Sequence, residues 1–167
     1  MSLIRELTDD GIVEVKNDAS LMKAGYLSHG TVECRDLAKS RAFYEEFIGL
    51  ECVQHAKRSM ALRLGLKFHL IALEVGESVY PMKLHNHWGL DLASRTDVDN
   101  AHKIALGAQE KYEIREVSAP MEVHGVYSFY VQDRDSNWWE FQHYEAGFQD
   151  EDIFDFGDRF KPDGTPV

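Results

Sequence analysis

His29-Gly-Thr-Val-Glu-Cys-Arg-Asp36 and His87-Trp-Gly-Leu-Asp-Leu-Ala-Ser94 decide the fold, because one can be laid on the other. The superposition brings Val32 onto Leu90, Cys34 onto Leu92 and Asp36 onto Ser94. Both stretches alternate apolar and polar residues with a period of two, the pattern of a strand with one buried face. Both close on a residue suited to cap a helix. After Asp36, the apolar positions Leu37, Ala42, Phe43, Phe47 and Ile48 recur at helical spacing until Gly49, which ends the run as a C-cap. After Ser94 or Thr96, Val98, Ala101, Ile104, Ala105 and Leu106 repeat that plan. Strand-like runs follow each helix, at 51–56, 60–64 and 67–75 in the first half and near 113–117, 127–132 and 138–143 in the second. The order strand, helix, three strands therefore occurs twice. It predicts an α+β fold: two βαβββ units forming one curled, mainly antiparallel incomplete barrel, with the helices outside.

The repeated body spans 26–145. Residues 1–25 read as a leader segment, with a turn at Thr8-Asp-Asp-Gly11 and a short strand at 12–15. Residues 146–167 form an acidic, aromatic C-terminal tail. It is expected to dock Phe148, Phe154, Phe156 and Phe160 on the body and to fray at Pro162-Asp-Gly-Thr-Pro166.

A chain of 167 residues makes one domain with room for a continuous core. Its net charge of −11 repels phosphate backbones and argues against nucleic-acid binding. Apolar runs are short and interrupted by charge, so no membrane helix is expected. The opening Met1-Ser-Leu-Ile-Arg-Glu6 lacks the pattern of a signal peptide. Cys34 and Cys52 stand in apolar contexts and read as reduced, buried thiols, which points to the cytoplasm.

Alternation also sorts the polar side chains. If Val32 and Cys34 face the first helix, then His29, Thr31 and Glu33 turn to the concave side. Trp88, Leu90 and Leu92 face the second helix, leaving His87, Gly89 and Asp91 toward the concavity. On the last strand, Trp138, Glu140 and Gln142 share one face. Two histidines at equivalent places of a duplicated unit, with one carboxylate, have the composition of a facial metal triad: His29, His87 and Glu140. A lone strand histidine is more often a hydrogen-bonded structural residue; the repeat is what sets these two apart. His102 and His143 point outward and receive no function.

The run from His29 through Asp36-Leu37, Phe43-Tyr44 and Gly49-Leu50 resembles the opening unit of the vicinal oxygen chelate superfamily, which includes glyoxalase I, extradiol dioxygenases and the fosfomycin- and bleomycin-resistance proteins. Tyr130-Val-Gln-Asp133-Arg-Asp135-Ser-Asn137-Trp-Trp-Glu140 resembles its closing motif, usually Asp-Pro-Asp-Gly-Asn followed two residues later by Glu. Arg134 replaces the usual Pro. Ser136 replaces the usual Gly and must enter a backbone region that glycine enters freely.

The resemblance implies that His29, His87 and Glu140 are metal ligands, with Fe(II) favoured and Mn, Zn or Ni also suited. It implies that Tyr130 hydrogen-bonds a bound catecholate, the other reading being a tyrosine packed among its neighbours. It implies a catalytic or ligating role for His69 and a role beyond the ligand shell for His124. The expected activity is extradiol-type dioxygenation of a small aromatic diol by a homodimer. The alternatives are a glyoxalase-like Lewis-acid isomerase or lyase, and a metal-free sequestering module.

Overall fold

The computed structural model describes residues 19–22, 24, 26–123, 125–146 and 149–167. Most of the expected leader, with its turn and short strand, lies outside the described residues, as do Phe148 and His124.

The first unit runs β1 (His29–Cys34), α1 (Leu37–Ala42), a π-helical continuation (Phe43–Ile48), β2 (Glu51–Ala56), β3 (Ser59–Arg63) and β4 (His69–Glu74). Asp36 caps α1 by accepting from the Lys39 amide, and Gly49 ends the helical run at φ 91°. The second unit runs β5 (Trp88–Asp91), α2 (Arg95–Tyr112), β6 (Glu116–Val117), β7 (Met121–Val123), β8 (Val126–Gln132) and β9 (Trp138–Tyr144). Ser94 caps α2 by accepting from the Asp97 amide. The βαβββ order thus appears twice, in an α+β fold.

The strands form two sheets, β1-β4-β3-β2 and β5-β9-β8-β6, with β7 also paired to β8. They are not joined into a closed barrel. Each opening strand runs parallel to the last strand of its unit, and the other pairings are antiparallel. One expected strand of the second unit is split into β6 and β7. Between Val117, opposite Val131, and Met121, opposite Ser128, one extra residue enters. The interruption includes Pro120, which has no amide to donate.

One continuous core gathers the helix-side faces of both sheets: Val32, Cys34, Met60, Leu62, Leu70 and Ala72 from the first, and Phe129, Val131, Trp139 and Phe141 from the second. Rings of the helical run bridge them, Phe43 against Trp139 and Phe47 against Phe141. A Cβ on Gly30 would collide with the Trp88 indole, so this glycine lets β1 approach the opening of the second unit. Cys34 and Cys52 are buried and unpaired, and burial pushes their thiols up to about 12 and about 11. The faces that carry His29 and His87 both look away from this core.

The tail departs from expectation. It forms α3 (Gln149–Phe156), yet Phe154, Phe156 and Phe160 are 71%, 66% and 62% exposed, so those rings are not docked on the body. Its end is a closed turn rather than a frayed one, with a bridge between Phe160 and Pro166 and Lys161 donating to the Thr165 carbonyl at 2.7 Å. Among the described residues, no helix is long and apolar enough to cross a membrane.

Candidate metal centre

The β8–β9 turn positions the site. Asp133 is fully buried and accepts four N–H donors: the Asp135 and Asn137 amides at 2.8 and 2.9 Å, Asn137 Nδ2 at 3.0 Å and the Trp139 indole at 3.1 Å. Asp135 reaches across to the first unit, taking the Arg35 amide at 2.9 Å and the Ser40 hydroxyl. Asn137 donates to the Glu33 carbonyl at 2.9 Å. This turn therefore locks the start of β9 against β1 and α1, and it fixes the frame in which Glu140 points outward.

Ser136 sits in that turn at φ 71°, the left-handed region. A residue with a Cβ pays about 1–2 kcal/mol there, offset in part by the greater unfolded freedom of glycine. Ser136→Gly should therefore raise stability by about 0.5–1 kcal/mol, read as a small upward shift of the urea midpoint. A midpoint shifted down would show that the hydroxyl does something the strain argument omits.

Glu140 is 8% exposed and held from two sides. The Ser128 hydroxyl donates to Oε1 at 2.6 Å, and His87 Nε2 lies 3.0 Å from Oε2. On the other edge of the His87 ring, Nδ1 is 2.7 Å from the Leu84 carbonyl. A carbonyl only accepts, so Nδ1 carries a proton, and Nε2 is the nitrogen free to bind a metal. The Tyr130 ring meets His87 edge to face at 5.1 Å. Burial, and then the Glu140 carboxylate beside it, hold its phenol above the usual range.

The pair has the spacing and donor types of two neighbouring ligands of a divalent ion, short of a complete set. Two adjacent ligand atoms, each about 2.1 Å from an octahedral ion, stand about 3.0 Å apart, which is the spacing of Nε2 and Oε2. The donor types, imidazole and carboxylate, suit first-row metals. Ser128 and the Leu84 carbonyl fix the orientation of the carboxylate and the imidazole. In the sequence, the alternation that turns Tyr130 to the cavity turns Ser128 with it, while nothing there points to the Leu84 carbonyl.

Two further expected residues among those described, His29 and His69, are on the first sheet. His29 is on β1, its Nδ1 2.8 Å from the Ser28 hydroxyl. It stacks on His69 with ring centres 5.8 Å apart. Among the described residues, no three His, Cys, Asp or Glu side chains converge as a complete metal set. One chain thus joins His87, Glu140 and Tyr130 on its second sheet, and His29 with His69 on its first.

The chain belongs to the Glyoxalase/Bleomycin resistance protein/Dioxygenase superfamily, whose pattern it matches over residues 26–141. Proteins of this superfamily act on small molecules, typically hold a divalent metal ion, and are often enzymes. Similar solved structures include the fosfomycin resistance protein FosX of Listeria monocytogenes, with a TM-score of 0.59, 21% identity and coverage of 78% of this chain and 99% of that one. A possible glyoxalase from Bacillus cereus gives 0.55, 24% identity, and 71% and 98% coverage. Lactoylglutathione lyase from Agrobacterium tumefaciens gives 0.52, 20% identity, and 72% and 95%. At these identities the likeness is one of fold. No curated protein matches the sequence significantly.

Proposed function

We propose that the protein is a metal-dependent enzyme that binds a small aromatic diol through two neighbouring oxygens and opens its ring. The ion is held by His87 and Glu140 of one copy and by His29 of a second copy in a homodimer. The observation that carries this reading is the 3.0 Å pairing of His87 Nε2 with a buried, serine-held Glu140. Among the described residues of one chain no three donors converge, and a second copy that supplies His29 would complete the set.

Bound there, Fe(II) supplies a Lewis acid for the substrate oxygens and a redox centre for O₂; Mn, Zn or Ni would supply the first alone or nearly so. Tyr130 stands beside the ligands with a protonated hydroxyl, ready to donate to a substrate oxygen as charge develops. His69, carried with His29, takes the proton released by the diol. Trp138, on the same face of β9 as Glu140, adds aromatic surface. Arg63, the cation on the outward face of β3, is engaged by Glu51 at 2.6 Å, which favours an uncharged substrate over an anionic one. Two buried, unpaired thiols suit a cytoplasmic setting.

Complementation tests the shared site directly. His29→Ala and His87→Ala each remove one donor from every site of their own dimers. Subunits mixed under exchanging conditions form hetero-dimers in which one of two sites regains all three donors, so about a quarter of the wild-type metal content should return. Ring-opened, yellow product from catechol under anaerobic Fe(II) loading followed by air should return with it. A mixture that stays empty places all donors in one chain or refutes the set.

A further inference from the structure

One row beyond Glu140, the outward face of the second sheet carries another polar pair. Asp91 on β5 and Gln142 on β9 are register partners, as Gly89 and Glu140 are. Alternation puts Asp91 on the face of His87, and Gln142 on the face of Glu140. The two rows are two strand residues apart, about 7 Å. Gln142 Nε2 donates to Asp91 Oδ1 at 2.7 Å, which holds the carboxylate in place. Among the described residues, Asp91 Oδ2 and Gln142 Oε1 have no partner, and no lysine, arginine or histidine pairs with Asp91. Asp91 is exposed. The first unit has a carboxylate at the same step past its histidine, Glu33, but there Oε2 already accepts the Tyr80 amide at 2.7 Å.

We propose that Asp91, steadied by Gln142, is a cation subsite, and that the substrate is a diol ring bearing a protonated amine on a short arm. A ring seated beside Glu140 and Tyr130 with its arm directed along β9 brings the amine to Asp91. An ammonium has three donors and no acceptor. It therefore matches a pair whose two unpartnered atoms, Asp91 Oδ2 and Gln142 Oε1, are both acceptors. An anionic arm would meet Asp91 as a like charge, and a plain alkyl arm would gain nothing from it. The chain's net charge of −11 adds a long-range attraction for cations. This inference names the substrate class more closely and rests on the reading of the site as one for an aromatic diol.

The test uses Zn(II)-loaded protein under anaerobic conditions, so that no ring is opened, and calorimetry with three catechols that differ in one arm: ethyl, aminoethyl and carboxyethyl. Wild type should bind the aminoethyl compound about fivefold more tightly than the ethyl one at low salt, the upper end for an exposed charge pair, with the carboxyethyl compound weakest. Added salt should shrink that preference. Asp91→Asn should erase it, and Asp91→Lys should make the carboxyethyl compound the tightest of the three. Asp91 is exposed on a strand that packs on the core through Trp88 and Leu90, so both variants should fold, as melting curves check. Equal binding of the aminoethyl and ethyl compounds by wild type would overturn the subsite and leave the diol reading standing. A preference that survives in Asp91→Asn would belong to the overall negative field and would overturn the subsite as well. Wild-type protein that binds none of the three would overturn the diol reading itself, and this inference with it.

Discussion

Protein carrying Asp133→Ala is expected to lose about 3–5 kcal/mol of stability, because four N–H donors are left buried without an acceptor. Two of those donors are backbone amides of the β8–β9 turn, one is the Asn137 side chain and one the Trp139 indole. None can turn to water without opening the turn, since Asp133, Asp135, Asn137 and Trp139 are all nearly inaccessible. Domains of this size are stable by about 5–15 kcal/mol, so the loss would consume much of the total. Asp133→Asn preserves the volume but presents an amide donor where one oxygen accepted, and should cost less than the alanine.

Titration gives a second check with a definite sign. Burial pushes the Asp133 carboxyl up to about 6. The unfolded chain releases its proton near the ordinary value of about 4, so across that window the native state holds a proton that the unfolded state has lost. The contribution is fully present below the unfolded value and is lost as pH rises through the folded one. Asp133→Asn cannot titrate, so the stability gap between it and the wild type should narrow from pH 4 toward pH 7. Urea midpoints at several pH values measure both effects. A gap that widens with pH, or an alanine variant within about 0.5 kcal/mol of wild type, the usual range for surface changes, would show that the turn does not carry this load.

The fold was legible because its signals are local. Period-two alternation identified the strands, Asp36 and Ser94 marked the helix starts, and Gly49 marked a stop with φ 91°. Alternation also placed His29 and His87 on faces opposite Val32 and Leu90. It could not show how those two faces are oriented relative to each other. That depends on contacts made only after folding, chiefly Phe43 and Phe47 packing under Trp139 and Phe141. Among the described residues of one chain, no three of the expected donors converge. Register was equally out of reach. His69 falls in the expected strand, but its face and its pairing with His29 depend on the alignment of β1 with β4, partners about forty positions apart in sequence. The tail misled for another reason: aromatic spacing reveals an amphipathic segment but not whether a surface exists to receive it, and those rings stay exposed.

Removal of the His87 imidazole should have the largest effect on the metal. His87→Ala leaves Glu140 with Ser128 but takes away the nitrogen 3.0 Å from its free oxygen, so the second sheet retains one donor where it had two. Loss of an outer partner alone typically costs about 10–100-fold in metal affinity, and loss of a direct ligand should exceed roughly a hundredfold. Ser128→Ala provides the graded comparison. It keeps both ligands but frees Oε1 of Glu140 to rotate, and its affinity should fall within the 10–100-fold range. His87 is partly exposed on the outward face and makes no core contact of its own, so folding should survive, as a circular dichroism melt would confirm. Added imidazole should restore part of the bound metal in His87→Ala and none in a Glu140→Ala protein, because only the former leaves a space of that shape. The order of affinities, wild type above Ser128→Ala above His87→Ala, is the signature of a carboxylate aimed by a serine and paired with a histidine across one ion. If His87→Ala keeps wild-type affinity while Ser128→Ala loses it, the Leu84-anchored ring binds no metal, and the 3.0 Å contact is a hydrogen bond between an imidazole and an acid.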